Sequence, residues 1–401
     1  MRARTVVVAL ALILPACDPV APGPVSRAGG FHAVAAGGEH SCGLTVQGAL
    51  FCWGDNAHGQ LGTGTNDGAA RPARVATAID FAVVSAGDRH SCALDAGGGL
   101  YCWGGNDRGQ LGTGTRGDVL APVAVAPGLR FTHVSAGVEH TCAVTLDGRA
   151  FCWGSGADGR TGSPGDTDVL EPEEVPGGHA FRTITAGARH SCAVDAGGIA
   201  FCWGANEMGQ LGDSTNTGRS IPAPVFGGKR YRLIAAGLAH TCALLEDGRA
   251  NCWGSNAHGE LGEGVPPYEE FMGAWVPYTV QGGLQASVIT AGRHVSCMVI
   301  MDNALPRADK MAGRHAWCWG AGGEGQLGTG SIRDHHVAHR VYDGDLSRSS
   351  LRFAGISAGA HHVCGVTDNR AIFCWGRGRS GQLGSGTMTG SVLPVRVVDG
   401  G

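Results

Sequence analysis

Charged and aromatic residues are both scarce in this sequence: 16% of its 401 residues are Asp, Glu, Lys or Arg, and 6% are Phe, Trp or Tyr. Lysine occurs only at Lys229 and Lys310, and the formal net charge is −4 at pH 7. Proteins that bind nucleic acid need a concentrated basic surface to neutralise phosphates. The composition therefore argues against nucleic acid as a partner.

The short motifs of common catalytic sites are also missing. The sequence has no nucleophile elbow, no HExxH zinc motif and no carboxylate pair in a distinctive context. Its recurrent GTG loops lack the Lys-Ser/Thr pair that completes a phosphate-binding loop. We therefore expect a non-enzymatic protein that uses no cofactor and binds no metal.

Glycine, by contrast, is abundant, and much of it belongs to a repeat. The pattern AGxxHSCxLxxxGxxxCWGxNxxGQLGTGT occurs seven times, and the first five copies are spaced 50 residues apart. Such a period is typical of an array of small units that bury their apolar faces against one another. The Ala-Gly starts have their glycines at Gly37, Gly87, Gly137, Gly187, Gly237, Gly292 and Gly359.

Each repeat carries two cysteines that flank a turn such as Asp147-Gly148, a strong hairpin signal. Directly opposed residues of a hairpin lie within disulfide reach, so we predict one disulfide in each repeat and an oxidising compartment. Metal binding by the thiols and a nearby His is the less favoured alternative, because it needs about four converging ligands. The predicted pairs are Cys42 with Cys52, Cys92 with Cys102, Cys142 with Cys152, Cys192 with Cys202, Cys242 with Cys252, Cys297 with Cys318, and Cys364 with Cys374.

Four short strands are predicted in each repeat. In the second copy they cover Phe81 to Ala86, His90 to Leu94, Leu100 to Trp103 and Pro122 to Val125. Four strands that recur seven times predict an all-β fold, a seven-bladed β-propeller of four-stranded antiparallel blades over residues 31–401.

These motifs resemble the regulator of chromosome condensation (RCC1) repeat family, whose members share the AGxxH, WGxN and GQLG elements. The resemblance implies a seven-bladed propeller and, as one alternative function, guanine nucleotide exchange. Export would argue against exchange, because a small GTPase would lie on the other side of the membrane. Three departures are Arg160-Thr161 in place of Gln-Leu, Val295 in place of the repeated His, and the paired cysteines.

The N-terminus predicts export. Arg2 and Arg4 precede an apolar run from Val6 to Leu14, which is too short to span a bilayer. The run ends at Cys17 in a sequence that resembles the lipobox of bacterial lipoproteins; ordinary cleavage, or no processing, are the alternatives. We expect a signal peptide at residues 1–17, a Pro-rich tether at 18–30 and a monomer whose lipid anchor is its only membrane contact, in the bacterial cell envelope.

Two repeated side chains predict structure more than function. The six repeated His could form a metal or proton-relay ring, but we favour buried residues that bond to nearby backbone. The seven CWG tryptophans could stack on a ligand, but packing between blades is favoured. The histidines are His40, His90, His140, His190, His240 and His362.

Partner contacts are expected where one repeat differs from the rest. Two insertions, one in the fifth copy and one in the sixth, supply aromatic and charged side chains suited to a protein partner; a loop that packs its own apolar residues is the alternative. They should emerge on opposite faces and so form no single site. The candidate binding residues are Tyr268, Glu269, Glu270, Phe271, Met272, Trp275, Arg307, Lys310 and Arg314.

A histidine-rich segment in the sixth copy is a third departure. His335, His336 and His339 follow Asp334, and two of them on one strand face could hold a metal, but we favour a solvated loop. Taken together, the sequence predicts a lipid-tethered binding scaffold for an unidentified protein. A lyase or hydrolase whose site is assembled from several blades is the enzymatic alternative.

Overall fold

The computed structural model describes residues 30–264, 273–300, 314–344 and 351–398. Its 28 strands form seven four-stranded antiparallel sheets, each built from four consecutive strands. The predicted seven-bladed propeller is therefore confirmed. The strands predicted for the second copy are also confirmed, although the fourth begins earlier, at Val119.

The first four blades follow one another without strand exchange. Their strands are β1 (Phe31–Ala36), β2 (His40–Thr45), β3 (Leu50–Gly54), β4 (Ala69–Arg74); β5 (Phe81–Ala86), β6 (His90–Asp95), β7 (Leu100–Gly104), β8 (Val119–Val125); β9 (Phe131–Ala136), β10 (His140–Thr145), β11 (Ala150–Gly154), β12 (Val169–Glu174); and β13 (Phe181–Ala186), β14 (His190–Asp195), β15 (Ala200–Gly204), β16 (Arg219–Pro224). A short 3₁₀ turn lies at Ala157–Gly159.

The last three blades repeat the same order. Their strands are β17 (Tyr231–Ala236), β18 (His240–Leu245), β19 (Ala250–Ser255), β20 (Gly273–Thr279); β21 (Ala286–Ala291), β22 (Val295–Ile300), β23 (Ala316–Gly320), β24 (His335–Arg340); and β25 (Phe353–Ala358), β26 (His362–Thr367), β27 (Ile372–Gly376), β28 (Ser391–Arg396). Blades one and seven each contain strands from only one end of the chain, so the ring closes through contacts between blades and without a shared sheet.

Both cysteines of each pair lie at directly opposed positions in the second and third strands. Their Cα atoms are 4.0–4.1 Å apart and all seven pairs are bonded, including the sixth, whose loop is longer. The side chains have no solvent exposure. This geometry confirms the predicted pairing and indicates an oxidising compartment. Cys17 lies outside the described residues.

The core consists of seven apolar clusters, one at each junction between neighbouring blades. Each CWG tryptophan is fully buried and packs against the preceding blade; Trp103, for example, packs with Leu44, Leu50 and Leu61 of blade one. The prediction that these tryptophans join blades is confirmed. Because a blade cannot cover its own faces, each blade depends on both of its neighbours.

Candidate functional site

The two faces of the ring are distinguished by their loops. The turns between the first and second strands and the loops between the third and fourth strands emerge together, on what we call the turn face. The hairpins between the second and third strands emerge on the other side, the hairpin face. In the sequence, the insertion of blade five lies between the third and fourth strands of its blade and that of blade six between the second and third. Residues 265–272 and 301–313, which contain most of the two insertions, lie outside the described residues.

A cavity of about 320 Å³ lies on the axis at the turn face. Alanine and glycine at the ends of the innermost strands form most of its wall. Seven backbone hydrogen bonds link neighbouring turns around it, from Gly38 N–H to Gly87 O at 3.0 Å through to Ala360 N–H to Gly37 O at 3.0 Å. Glycine is required here, since a Cβ at Gly37 would lie 2.3 Å from Gly87 O. The turn backbone is therefore committed to closing the ring.

Two charged residues, Asp88 and Arg293, line this cavity from different blades. Burial raises the pKa of the Asp88 carboxyl above its ordinary value, although Arg89 and Arg293 oppose that shift. The wall offers a ligand one carboxylate, one guanidinium and otherwise small apolar surface. Among the described residues, no Ser, Thr, Cys, Lys or Tyr side chain lines the cavity.

The six repeated histidines join one blade to the next. In each, Nε2 lies 2.7–3.0 Å from a Ser or Thr hydroxyl of the following blade, as His40 does with Ser91. The Ser91 hydroxyl donates to Gln60 O, so His40 must be the donor to Ser91, with its proton on Nε2. The expected structural role is confirmed, but the expected backbone partner is wrong: the partner is a side chain of another blade.

Burial holds these imidazoles neutral. The pKa values of His40 and His240 fall to about 4, and those of His90, His190 and His362 to about 3, because burial penalises the charged form. Their role as ligands of one shared metal is not supported by the described residues, among which no group of three or more His, Cys, Asp or Glu side chains could hold a metal ion.

The junction between blades three and four departs from the repeat because a charged side chain replaces glutamine. Arg160 is 4% exposed, donates to Ala188 O at 2.9 Å and pairs with Asp158 at 2.7 Å. Asp158 also pairs with Arg189. In the other blades, the tryptophan Nε1–H donates to the backbone carbonyl of the Gln or Glu at the position of Arg160. Trp203 Nε1 has no hydrogen-bond partner among the described residues. The buried guanidinium is thus satisfied, while the neighbouring indole loses its hydrogen bond.

The junction between blades five and six carries a second departure, which combines two changes. Glu260 stands where most copies have Gln, and the histidine of blade six is shifted by one position, so that Val295 fills the buried site and His294 precedes it. His294 Nδ1 lies 3.1 Å from Glu260 Oε1, and His258 N–H donates to Glu260 Oε2 at 2.8 Å. The two departures therefore meet as one interacting pair.

Electrostatics stabilise the ionised Glu260. Its side chain is fully buried, which alone would raise the pKa, but the His294 hydrogen bond and the backbone donors of His258 and Glu260 hold the pKa below its ordinary value. His294 is one-third exposed and packs edge-on against His258, with ring centroids 4.9 Å apart. His258 in turn pairs with Asp334 at 2.9 Å. This Glu-His-His-Asp arrangement, which we call the blade five–six cluster, was not identified from the sequence.

Of the predicted binding residues, Trp275 and Arg314 lie within the described residues. Trp275 is 48% exposed near the start of β20, where it contacts Gly209 of blade four. Arg314 lies on the hairpin face and its guanidinium is 3.9 Å from the Asp368 carboxylate of blade seven. The others lie outside the described residues: Tyr268, Glu269, Glu270, Phe271, Met272, Arg307 and Lys310.

The histidine-rich segment is a strand, so the prediction of a solvated loop is wrong. His335 to Arg340 form β24, half-buried throughout, with His339 paired opposite Cys318. Pairing with β23 overrides the weak strand propensity of the segment. The rings of His335 and His339 stack with centroids 3.9 Å apart, and Asp334 accepts from Gly322 N–H and pairs with His258.

In the part of the chain that the structure describes, no helix is long and apolar enough to cross a membrane. The repeated residues of the described site form hydrogen bonds between neighbouring blades, and only a few side chains are unique to one blade. Those unique side chains lie mainly at the junctions that flank blades four to six.

Solved structures of several proteins share this fold. The Saccharomyces cerevisiae protein Prp20 superposes with a TM-score of 0.74 and 22% identity, covering 88% of this chain and 87% of its own. Human WBSCR16 superposes with a TM-score of 0.71 and 22% identity, covering 84% of this chain and 87% of its own. The ectodomain of the Arabidopsis thaliana receptor kinase ACR4 superposes with a TM-score of 0.53 and 19% identity, covering 87% of this chain and 96% of its own. At these identities, the likeness establishes the fold.

Sequence relatives match over shorter stretches. The ultraviolet-B receptor UVR8 of Arabidopsis thaliana is 35% identical over 83 residues, which are 21% of this chain and 18% of the receptor. Protein RCC2 homolog of Xenopus laevis is 30% identical over 86 residues, 21% of this chain and 16% of that protein. These matches span less than a fifth of the length of either relative.

The family models cover most of the chain. A model described as the RCC1-like domain matches residues 14–343, and one described as the regulator of chromosome condensation (RCC1) repeat matches residues 353–382. The match agrees with the seven blades and with the repeated AGxxH and GQLG elements at their junctions. The chain therefore belongs to the RCC1-like domain family.

Proposed function

We propose that this protein is a non-enzymatic scaffold that binds another protein through the turn face of blades four to six, outside the cytoplasm. The observation that carries the proposal is that the repeated residues hold the blades together, which leaves the non-repeated residues for binding. The repeated His, Ser or Thr and Trp side chains join the blades, together with the backbone carbonyl of the repeated Gln. Binding must therefore depend on residues that differ between copies.

Trp275 supports the choice of surface. It occupies the position that contacts a glycine of the preceding blade, where the other copies have residues such as Leu120, Leu170 and Val392. An indole that is half exposed on a rigid strand is a typical anchor of a protein interface. The acidic and aromatic insertion, residues 266–273, directly precedes this strand in the sequence.

Relatives provide precedents for this use of the fold. Prp20 has been crystallised with Kap60 bound to it, and its binding to Gsp1p and histones has been described. The ACR4 propeller is the ectodomain of a receptor kinase. Seven buried disulfides favour an extracytoplasmic location for this chain as well. The lipid anchor at Cys17 completes the proposal and rests on the lipobox resemblance alone.

The partner test uses crosslinking capture from native envelope fractions, quantified by mass spectrometry. We expect a protein that the intact chain enriches and that both Trp275→Ala and deletion of residues 266–273 lose. Leu146→Ala is the matched control, because Leu146 is 80% exposed on the hairpin face and its loss should leave capture unchanged. Equal capture by all four proteins would refute the proposed surface.

The anchor is tested separately by Cys17→Ala. We expect this variant to move from the membrane fraction to the soluble envelope fraction and to lose the mass of the acyl chains. A wild-type protein of unmodified mass would refute lipidation and leave the binding surface untouched.

The blade five–six cluster favours hydrolysis or elimination as a second candidate function. A buried, ionised Glu260 that holds His294 at the surface resembles a base and its orienting group. Glu260→Gln restores the residue of most other copies and should fold. A hydrolytic activity against a panel of ester and glycoside substrates that Glu260→Gln abolishes would support this candidate; no activity in the wild type would remove it.

A further inference from the structure

The outer strand of blade six differs from the others in one respect. At one equivalent position, the outer strand of every other blade carries proline, whereas β24 carries Ala338. The prolines of the other blades are Pro72, Pro122, Pro172, Pro222, Pro277 and Pro394.

Strand pairing shows which way the backbone at this position points. Cys297 and Cys318 are opposed with Cα atoms 4.1 Å apart, the spacing of a pair that does not exchange backbone hydrogen bonds. The N–H and C=O groups of Cys318 therefore face β24, where they meet His339. Val341 N–H also points inward, to Ala316 O at 2.9 Å. The register shifts between Cys318 and Gly320, beyond His339. Because Ala338 directly precedes the inward-facing His339, we infer that its backbone N–H points away from the sheet.

The six prolines can now be explained. A proline nitrogen at an outward-facing position removes no hydrogen bond from the blade, but it denies a donor to any strand that approaches the edge. Proline on an edge strand is a common protection against unwanted pairing. Six blades are protected in this way and blade six is not. Within the described residues, β24 pairs with β23 and with no strand on its outer side, although His336 O accepts a hydrogen bond from Gly264 N–H of blade five at 2.9 Å.

The side chains of β24 indicate which segment would pair with it. Three histidines and Arg340 lie on this strand, and Arg333 precedes it by two residues. The same strand of blade three carries Glu171, Glu173 and Glu174 instead. Burial lowers the pKa of His335 and His339, so these imidazoles are neutral near pH 7. The positive charge that an added strand with carboxylates would complement therefore comes from Arg333 and Arg340.

We propose that the outer edge of blade six binds an extended, acidic segment of a partner polypeptide, which adds to the sheet as a fifth strand next to β24. Main-chain hydrogen bonds that include the Ala338 N–H would supply affinity, and the basic side chains would supply selectivity. This site is separate from the turn-face surface around Trp275 and does not depend on it.

The test uses the full chain and a fluorescently labelled nonapeptide of alternating valine and glutamate. Ala338→Pro introduces the residue that six blades already tolerate, so we expect a melting temperature within a few degrees of wild type. Peptide affinity, measured by anisotropy, should fall at least tenfold. Ala338→Ser keeps the N–H and is the matched control, with affinity close to wild type.

Hydrogen exchange on the unsubstituted protein provides an independent measurement. The acidic peptide should slow exchange of the amides of 335–340, and a valine–lysine peptide should not. Equal binding by wild type and Ala338→Pro would overturn the proposal, as would the absence of protection at saturating acidic peptide. A dimer that forms without peptide and is lost in Ala338→Pro would overturn it in favour of a second copy as the occupant. None of these results depends on Trp275, so failure here leaves the proposed turn-face function standing.

Discussion

Mild acid should destabilise this propeller strongly, because its blades are joined by buried neutral histidines. The folded pKa values of these groups are depressed to about 3 or 4 from an ordinary value of 6.5, and that of His140 is also lowered well below it. Below pH 6.5 the unfolded chain binds protons that the folded chain does not. The stability is therefore complete above about pH 6.5 and is lost as the pH falls toward 4.

The magnitude follows from the two pKa values. When the pH falls from 7 to 5, each histidine that protonates only in the unfolded state lowers the free energy of unfolding by about 1.8 kcal/mol. The five residues with folded pKa values of about 3 or 4 give about 9 kcal/mol, which is comparable to the whole stability of a typical domain. His140 adds to this total, because its pKa is also lowered. Carboxylates contribute mainly below this range, since the ordinary pKa of a Glu such as Glu260 is 4.5.

The assay is guanidinium unfolding with intact disulfides at several pH values from 7 to 5, followed by tryptophan fluorescence. The unfolding midpoint should fall steeply with pH, with a slope near pH 5.5 equivalent to the uptake of about five to six protons. His190→Val copies the change already present at Val295 and should reduce the slope by about one proton. It should also lower stability at pH 7, because Thr241 loses the His190 hydrogen bond.

Two results would refute this reasoning. One is a midpoint that stays constant between pH 7 and pH 5. The other is an NMR titration in which the buried imidazoles of the folded protein protonate near pH 6.5. In that case the histidines would be accessible to water, and their links between blades could not require the neutral form.

Three further predictions concern the junctions. Reductant should act slowly on the folded protein, because the paired cysteines are not exposed to solvent. Full reduction in denaturant should abolish refolding at 37 °C, because each disulfide contributes about 2 to 3 kcal/mol. Counting free thiols against time checks both predictions, and rapid reduction of the folded protein would contradict the burial of the disulfides. Arg160→Gln restores the common residue and should leave the melting temperature nearly unchanged, because Asp158 is partly exposed and keeps its pair with Arg189 when the buried guanidinium is removed; a large fall would show that the Asp158 pair with Arg160 is needed. Trp103→Phe should cost about 1 kcal/mol more than Trp203→Phe, because only Trp103 donates a hydrogen bond; equal unfolding free energies would contradict this assignment.

The sequence predicts most of this fold because its repeat is strict. Cysteine pairs that flank an Asp-Gly turn determine both the hairpin and its register, so Cys142 could be placed opposite Cys152 before the structure was known. The histidine partner could not be predicted, because Ser91 belongs to the next blade and only the curvature of the ring brings it to His40. The segment at His335 was predicted as a loop, because its residues have weak strand propensity and the pairing with β23 is a tertiary effect.

The candidate site was harder to predict because its signals are single substitutions. Glu260 differs from glutamine only in having a carboxylate in place of the amide. The carboxylate forms its hydrogen bond with His294, which is 34 residues away in the sequence. A comparison of the copies position by position would have found Glu260 in place of Gln and Val295 in place of His, but the column of His294 is variable and also holds His361. The insertions were visible at once, but most of their candidate residues lie outside the described residues, so their role stays a prediction.

The departures from the repeat are not spread evenly around the ring. Blade five carries an insertion and Glu260; blade six carries a second insertion, the shifted His294 and the outer strand without proline. Because the ring closes without strand exchange, its seven junctions have the same architecture, and nothing in the closure itself requires these two blades to differ. The structural demands on the repeat are met by blades one and two, whose tryptophans keep the hydrogen bond to the preceding blade. The concentration of unique residues in blades five and six is therefore best explained by contacts with something outside the ring, and both proposed surfaces lie on or beside these blades.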